Sequence, residues 1–266
     1  MLTKKDLISA FYALGVKAGI PLLVHSSLSA FGQVDGGAHT VIDALLDVLS
    51  PEGTLVMPSF NHGDIYVAGD IFDVNTTPTI NGIIPETFRK RPGVYRSLSC
   101  THAFAAQGKN AQRYLQEHHT VSPMGKDSPV DHMFADDGWV LLLGVSFCAN
   151  SFHHYVEEME NAPCLALSEP YPVRTSDGTI IHVPTWKWRN AECPYNDTAG
   201  FLQNTTMYHQ PLLDGGIAKT AIIGDAQVFL YNMRAAYDTI AHFMREGAEG
   251  FPPCKHCTVR PVENWF

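Results

Sequence analysis

His154 and Glu157 lie three residues apart in a segment of helical character, and their side chains suit acid–base chemistry. Positions three apart share one face of an α-helix, so the imidazole and the carboxylate can touch. A histidine can take up a proton near neutral pH, and a carboxylate can orient its ring. The spacing therefore predicts a general base, while an ordinary His–Glu contact on an exposed helix remains the alternative. His153 points about 100° away from His154 on a helix, and we expect it to take no part.

A polar turn precedes this helix and follows the apolar run over residues 140–145. The turn nearly matches the Gly-x-Ser-x-Gly sequence of serine hydrolases, but Cys148 stands at the position of the last glycine, so the tight turn lacks support. Cys148 could itself be a nucleophile with His154 as its base. The alternative is a small buried thiol at the end of a strand.

Two further polar segments follow strand-like runs. Hydroxyl and backbone N–H groups at a strand end can hold a phosphate or an acyl carbonyl, and an arginine can bind phosphate through its planar fork. The alternatives are serines that cap a turn and a histidine that is satisfied in the core. The residues concerned are His25, Ser26, Ser27 and Ser29 in the first segment, and Arg96, Ser97 and His102 in the second.

These segments need a fold that brings the ends of several strands together. Apolar runs at residues 21–25, 54–57 and 140–145 predict strands, and amphipathic segments between them predict helices. The alternation predicts an α/β fold with a central, mostly parallel sheet flanked by helices. In such sheets, ligands bind at the carboxyl ends of the strands.

The second half of the chain does not continue the alternation of helices and strands. Ser176-Asp177-Gly178 separates two short strand-like runs, which predicts an added antiparallel hairpin lobe over about residues 165–215. Residues 226–243 predict one long amphipathic helix. We interpret residues 1–266 as a single domain that contains this lobe, because a chain of this length can bury one large core.

Composition excludes several classes of protein. The net charge of −9 argues against a nucleic-acid partner, which would call for a basic face. The chain contains no run of about 18 apolar residues and starts with no secretion signal, so we predict no membrane segment and a cytoplasmic location. The histidine pairs lack an HExxH spacing, so no catalytic metal is predicted. Cys254 and Cys257 could form a structural zinc site with Cys193 and His209, and that question stays open.

Four segments, in order along the chain, resemble the aminoglycoside 3-N-acetyltransferase (antibiotic N-acetyltransferase) family. The last of them is similar to the family's strand followed by N-T-x-x-H-x-x-E, with Ser151 in place of the threonine. The segments are LLVHSSL at 22–28, FDVNTTPTINGIIPETFRKRPGVYRS at 72–97, SPMGKDSP at 122–129 and LLLGVSFCANSFHHYVEEME at 141–160.

The resemblance implies an acetyltransferase that uses acetyl-CoA as cosubstrate and acetylates a small-molecule amine; a homodimer is among the assemblies it allows. His154 matches the family's general base, and Glu157 is the acid that supports it. The resemblance also implies a coenzyme A cleft and an acceptor site. The cleft would contain His25, Ser26, Ser27, Ser29, Arg96, Ser97 and His102, and the acceptor site Asn61, Asp64, Ser151 and Glu192.

The chain departs from the family's pattern in the segment that carries acidic residues before a cysteine. Here that segment contains Arg189 and Ala191 at the acidic positions and keeps Glu192 just before Cys193. A site for a polycationic sugar would favour carboxylates there. This departure keeps two alternatives open, namely a biosynthetic N-acyltransferase for a different amine and a catalytically silent homologue that binds a ligand.

Overall fold

The computed structural model describes residues 1–61, 71–160, 165–167, 170–188 and 208–245. Within these ranges, helices and strands alternate through the first 160 residues. The helices are α1 (Lys4–Leu14), α2 (Gly37–Leu49), α3 (Ile83–Arg89), α4 (Ala111–Leu115), α5 (Pro129–Ala135), α6 (Phe152–Met159), α7 (His209–Asp214) and α8 (Met233–Arg245). The strands are β1 (Pro21–Ser26), β2 (Thr54–Pro58), β3 (Phe72–Asp73), β4 (Tyr95–Arg96), β5 (Phe104–Gly108), β6 (Trp139–Leu143), β7 (Leu165–Leu167), β8 (Tyr171–Arg174), β9 (Ile180–Val183), β10 (Trp186–Trp188), β11 (Ala218–Ile223) and β12 (Ala226–Asn232).

The main sheet contains seven strands in the order β11-β12-β6-β1-β2-β5-β4. The predicted α/β sheet with flanking helices is confirmed, and its parallel pairing lies at the centre, where β1 pairs with β6 and with β2. The outer strands pair antiparallel. For β11 and β12 the reason is local, because two residues, Gly224 and Asp225, connect them, and so short a connection can only make a hairpin.

The prediction of one helix over 226–243 is wrong. Its first part forms β12, which lies between β11 and β6, and the helix begins only with α8. Val228 and Leu230 pack into the core on one face of the sheet, while Phe229 and Tyr231 pack into the core on the other. A strand buried on both faces is apolar almost throughout, so its period of two is hidden and the run resembles part of a helix.

Helices cover both faces of this sheet. Leu7 of α1, Leu45 of α2 and Ile84 of α3 belong to the core of one face. Val130 of α5 and Phe152 of α6 belong to the core of the other, together with residues of α8. Among the described residues, no helix is long and apolar enough to cross a membrane.

The predicted hairpin is present as the antiparallel pair β8–β9. Strand β3 pairs parallel to β8, which makes a three-stranded sheet, and β7 pairs antiparallel to β10 in a separate pair. Val173 and Val183 of the hairpin share a small core with Phe72 and Cys100. This core joins the hairpin to the segment that precedes β5. The extent of the lobe and the single-domain organisation stay predictions.

Candidate active site

The candidate site lies at the edge of the main sheet where β1, β2 and β6 end, called the carboxyl edge below. Because β5 runs antiparallel to β2, the residues just before β5 lie at the same edge. The register extends past the strands, since Ser59 donates to Ala103 and Asn61 donates to Thr101 through their backbone N–H groups, at 2.7 and 3.0 Å. Segments far apart in the sequence therefore meet here, as expected for an α/β sheet.

Helix α6 starts at this edge, directly after β6 and a short 3₁₀ turn over Phe147–Ala149. Asn150 helps to begin the helix, because its side-chain Oδ1 accepts the N–H of Phe152 at 3.2 Å. Its Nδ2 donates to the hydroxyl of Tyr208, also at 3.2 Å. The start of α6 is thus tied to the residue that precedes α7.

His154 and Glu157 form the predicted pair on α6. His154 Nδ1 lies 2.5 Å from Glu157 Oε2, and the exposed fractions of the two side chains are 25% and 0%. Because Nδ1 is committed to the carboxylate, proton exchange with a bound molecule has to go through Nε2. The geometry is that of a base whose ring is oriented by a buried acid.

His153 also contacts Glu157, although it was expected to face away from the pair. Its Nε2 lies 3.2 Å from Glu157 Oε1, and its side chain is 1% exposed. The two rings do diverge along the helix, but a carboxylate presents two oxygens. A histidine at i−4 and one at i−3 can therefore flank the same carboxylate from either side.

The charges in this cluster follow from burial and from the two imidazoles. Burial alone would raise the pKa of Glu157, but His153 and His154 outweigh it and lower that pKa to about 2. Burial lowers the pKa of His153, and the opposing effect of Glu157 does not restore it. At neutral pH an ionised carboxylate therefore lies against a neutral His153.

His25 lies under the start of α6. Its Nε2 faces the backbone N–H of Ser151 at 3.2 Å and the hydroxyl of Ser151 at 3.1 Å. Burial, and then the nearby charge of His154, lower the pKa of His25 to about 3. A neutral imidazole that accepts a backbone N–H fits this place, so both residues support the helix that carries His154.

His102 lies beside the candidate base. The centres of the His102 and His154 rings are 6.4 Å apart, and the His102 ring also packs edge-on against Phe60 at 4.9 Å. His102 Nδ1 is 2.7 Å from the hydroxyl of Thr101. The Thr101 hydroxyl in turn contacts that of Thr185, which lies between β9 and β10. This contact links the hairpin region to the carboxyl edge.

Asn61 and the serines after β1 complete the edge. Asn61 is 4% exposed, and within the described part of the chain its Oδ1 makes no hydrogen bond. The same holds for the buried hydroxyl of Ser26. Ser27 and Ser29 contact each other through their hydroxyls at 3.1 Å. The edge therefore offers polar groups that a bound molecule can use.

Arg96 and Ser97 are engaged within the protein. Arg96 donates to the backbone carbonyls of Thr77 at 2.6 Å and Ser59 at 2.9 Å, and its guanidinium lies over the ring of Phe72. The hydroxyl of Ser97 accepts the N–H of Phe104 at 2.8 Å and contacts a buried histidine, His118. These contacts hold the polypeptide around the site in place.

The remaining predicted residues lie outside the described ranges. They are Asp64, Glu192, Cys193, Cys254 and Cys257. His209, the fourth ligand of the suggested zinc site, lies in α7 and stacks on Phe147 with ring centres 4.4 Å apart. Within the described part of the chain, the ligand atoms of His153, His154 and Glu157 lie within 4.8 Å of one another, which is close enough to hold a metal ion.

Sequence reasoning missed His153, Phe60 and Thr185. The four-residue spacing between His153 and Glu157 could have indicated the role of His153. The sequence holds no such signal for Phe60 and Thr185, because their contacts join distant segments. Thr185, for example, is 84 residues from its partner Thr101. Only the folded chain brings them to the edge.

Comparisons with known proteins agree with this arrangement. An aminoglycoside N(3)-acetyltransferase IV from Salmonella sp is 38% identical over 162 residues, which cover 60% of this chain and 60% of that protein. The SPbeta prophage-derived aminoglycoside N(3')-acetyltransferase-like protein YokD of Bacillus subtilis (strain 168) is 37% identical over 175 residues, covering 58% and 64%. The matches thus span less than two thirds of these relatives.

The likeness in structure extends further along the chain. The crystal structure of a mutant of aminoglycoside acetyltransferase AAC(3)-IVa in complex with a gentamicin superposes with a TM-score of 0.74 at 29% identity, covering 92% of this chain and 88% of that one. Residues 23–245 match the family model described as aminoglycoside 3-N-acetyltransferase. The resemblance predicted from four segments is confirmed, and the chain belongs to the aminoglycoside 3-N-acetyltransferase family.

Proposed function

We propose that this protein transfers the acetyl group of acetyl-CoA to an amine of an aminoglycoside, with His154 as general base. One observation carries the proposal: a partly exposed imidazole is held at the carboxyl edge by a fully buried, ionised carboxylate. Family membership supports the reaction class. The names of the relatives and the gentamicin complex of AAC(3)-IVa support the acceptor class.

The reaction needs one proton transfer before bond formation. His154 accepts a proton from the acceptor's ammonium group through Nε2, and the free amine then attacks the thioester carbonyl. The tetrahedral intermediate collapses, the C–S bond breaks, and the coenzyme A thiolate leaves and takes up the second proton that the amine nitrogen loses as it becomes an amide. Glu157 stays ionised throughout and stabilises the imidazolium that forms on His154.

The polar groups of the carboxyl edge suit the two substrates. We assign the coenzyme side to Ser26, Ser27 and Ser29, whose hydroxyls lie at the end of β1. We assign the acceptor side to Asn61, whose backbone pairs with Thr101, and we move His102 there from the coenzyme cleft because it lies beside the base. Arg96, Ser97 and His25 make internal contacts, so we leave them out of the coenzyme site. Asp64 and Glu192 remain proposed acceptor ligands. The homodimer and the cytoplasmic location stay predictions.

Replacement of His154 by alanine tests the mechanism. We expect His154→Ala to slow the release of coenzyme A thiol with gentamicin by roughly two to four orders of magnitude, the range for losing a general base. His39→Ala, which changes an exposed histidine on α2, is the matched control and should keep the wild-type rate. A near-wild-type rate in His154→Ala would contradict the proposal.

An amine panel tests the acceptor. The replacement of acidic positions by Arg189 and Ala191 favours a less cationic acceptor as the second candidate, a biosynthetic N-acyltransferase. Aminoglycosides, amino acids and amino-phosphonates at equal concentration separate the two by their kcat/KM values. Binding of acetyl-CoA without turnover on any of these amines would instead favour the catalytically silent homologue.

Cys148 offers the rival mechanism, an acyl-enzyme. It lies in the 3₁₀ turn just before α6 and is partly exposed. We expect Cys148→Ser to leave single-turnover acetyl transfer largely intact, because direct attack needs no thiol of the protein. Loss of transfer in this variant, together with an acetyl adduct on Cys148 of the wild-type protein, would reverse the preference for direct attack.

A further inference from the structure

The carboxylate of Glu157 is shared by two imidazoles. Each of its oxygens faces one ring, with His154 Nδ1 at 2.5 Å from Oε2 and His153 Nε2 at 3.2 Å from Oε1. His153 is as deeply buried as Glu157, whereas His154 is partly exposed. The two histidines therefore have different roles, since only His154 can exchange a proton with a bound molecule.

We propose that His153 is a positioning residue for acetyl transfer, whose buried imidazole holds one oxygen of Glu157 so that the other stays aligned with His154. This inference rests on the proposed function, because it concerns the same base. A free carboxylate can rotate about its last side-chain bond, and a fixed donor on the second oxygen removes that freedom.

The protonation of His153 fits this role. Burial keeps its pKa below the ordinary value, so the ring is neutral at the pH of catalysis. A neutral ring with its hydrogen on Nε2 brings that N–H within 3.2 Å of Oε1 and adds no charge to the cluster. Glu157 then stays ionised beside the imidazolium that forms on His154 during transfer.

The ring of His153 is itself held on its other side. It stacks on the ring of Tyr208 with centres 6.0 Å apart and an angle of 18°. Tyr208 in turn accepts a hydrogen bond from Asn150, and the backbone N–H of His153 donates to the carbonyl of Asn150 at 3.2 Å. The start of α6 and the residue before α7 thus fix the imidazole that fixes Glu157.

Other titratable groups surround this cluster. His25 approaches His154 from β1, and His102 approaches it from the segment before β5. Tyr208 lies near Glu157 at the start of α7, and Cys148 of the 3₁₀ turn lies near Tyr208. Burial keeps the pKa of His25 low and raises the pKa of Tyr208, so both stay neutral over the range of interest. The acidic limb of the rate profile is therefore compared between variants that leave all of these neighbours unchanged.

Three substitutions distinguish positioning from simple packing. His153→Gln keeps an N–H near the place of Nε2, and His153→Leu keeps the volume but removes the donor. His153→Asn keeps an amide, but its side chain is too short to reach Oε1. We expect kcat to fall about 10- to 100-fold in the Leu and Asn variants, the range for losing a group that orients a functional histidine, with both KM values nearly unchanged. His153→Gln should recover most of kcat.

The pH profile supplies a readout that packing would not move. Without the donor on Oε1, the negative charge of Glu157 acts more strongly on His154, which favours the imidazolium. The acidic limb of kcat/KM should therefore move to higher pH in His153→Leu and return towards the wild-type position in His153→Gln. Loss of activity in both variants with no shift of the limb would overturn the proposal.

A double-substitution cycle tests whether His153 acts through Glu157. In a Glu157→Gln background, His153→Leu should lower kcat little further, because the aligned group is already gone. Equal losses in both backgrounds would assign His153 to packing alone. Circular dichroism and thermal unfolding report whether each variant is folded.

NMR titration of the His154 ring keeps the two proposals separate. We expect the His154 titration to shift towards the imidazolium in His153→Leu and to stay unshifted in His153→Gln. This measurement requires no turnover. If the wild-type protein acetylates none of the amines, the proposed function fails while the titration still decides the role of His153. An unchanged His154 titration in the Leu variant would overturn that role.

Discussion

Buried histidines position much of the active-site edge. His25 holds the start of α6, His153 contacts the carboxylate that orients the base, and His118 joins Ser97 to the carbonyl of Pro123 at 2.8 and 2.9 Å. His25 can do so only as a neutral ring, since its Nε2 accepts the backbone N–H of Ser151. Burial is the leading cause that lowers the pKa of all three.

This makes the stability of the protein sensitive to mild acid. Burial lowers the pKa of His118 to about 4 from its ordinary 6.5. Between these values the unfolded chain binds a proton that the folded chain does not, so the contribution is fully present above pH 6.5 and is lost as the pH falls towards 4. The expected loss is roughly 3 kcal/mol of unfolding free energy.

Urea unfolding of His118→Gln at pH 7 and pH 4 checks this. Glutamine can keep a hydrogen bond to Pro123 but does not titrate, so the variant should lose about 3 kcal/mol less than the wild-type protein between the two pH values. His39→Gln, which changes an exposed histidine, should behave like the wild-type protein. Equal acid sensitivity in His118→Gln and wild type would contradict the assignment.

At the residue scale, sequence spacing predicted contacts along one helix and missed those between segments. His154 and Glu157 were found because helical geometry alone brings them together. Arg96 looked like a phosphate ligand because its guanidinium is suited to one. In the fold, its two terminal nitrogens donate to the carbonyls of Ser59 and Thr77, which lie 37 and 19 residues away. Sequence reasoning cannot show that backbone carbonyls from distant segments compete with a phosphate for the guanidinium.

Among the elements, the end of β6 depends on one glycine. Gly144 has a φ of +66°, a backbone conformation that residues with a side chain rarely adopt. It packs against the 3₁₀ turn Leu28–Phe31. A Cβ placed there would lie 2.4 Å from the Cβ of Ala30. The position thus sets how closely β6 approaches the serines that follow β1.

We expect Gly144→Ala to lower the free energy of unfolding by about 1–3 kcal/mol through strain and crowding. Adding Ala30→Gly should return the part that comes from crowding and leave the part that comes from φ. Denaturant unfolding of the two single variants and the double variant measures both parts. If the Gly144→Ala protein were as stable as the wild type, the expected strain and crowding at this turn would be contradicted.

Strand positions were predictable where the apolar run was short and bounded by turns, as at β1, β2 and β6. Strand β12 was mistaken for helix because both of its faces are buried and because α8 follows it without a break. The side chain of Asn232 begins that helix by accepting the N–H of Ala235 at 3.1 Å. An asparagine inside an apolar run was the available sign of the boundary.

For the whole molecule, coenzyme binding should be visible as added stability. A ligand that binds only the folded chain at about 100 times its Kd adds about 2.7 kcal/mol. For a protein of this size we expect acetyl-CoA to raise Tm by about 5–10 °C. Thermal scans with acetyl-CoA, and with AMP at the same concentration as control, check this. No rise with saturating acetyl-CoA would contradict the proposed cosubstrate.

At this scale, the order of segments carried the prediction. The four segments that resembled the family are spread over residues 22–160, and contacts join three of them in the fold, since His25 faces Ser151 and Ser122 donates to Glu158. The order of these segments along the chain follows the order in which the strands are connected, and that order can be read from a sequence. The pairing direction of the outer strands was not predictable in this way, because it depends on where each connection crosses the sheet.

The base, its carboxylate and His153 all belong to one short helix, whereas Asn61 and His102 come from other parts of the chain. The residues proposed to remove a proton therefore form one local unit, separate from the residues proposed to recognise the acceptor. Mutations can accumulate in the recognising segments without changing any residue of this helix. A lineage built on this plan can exchange one amine for another through small steps, each of which leaves a working catalyst.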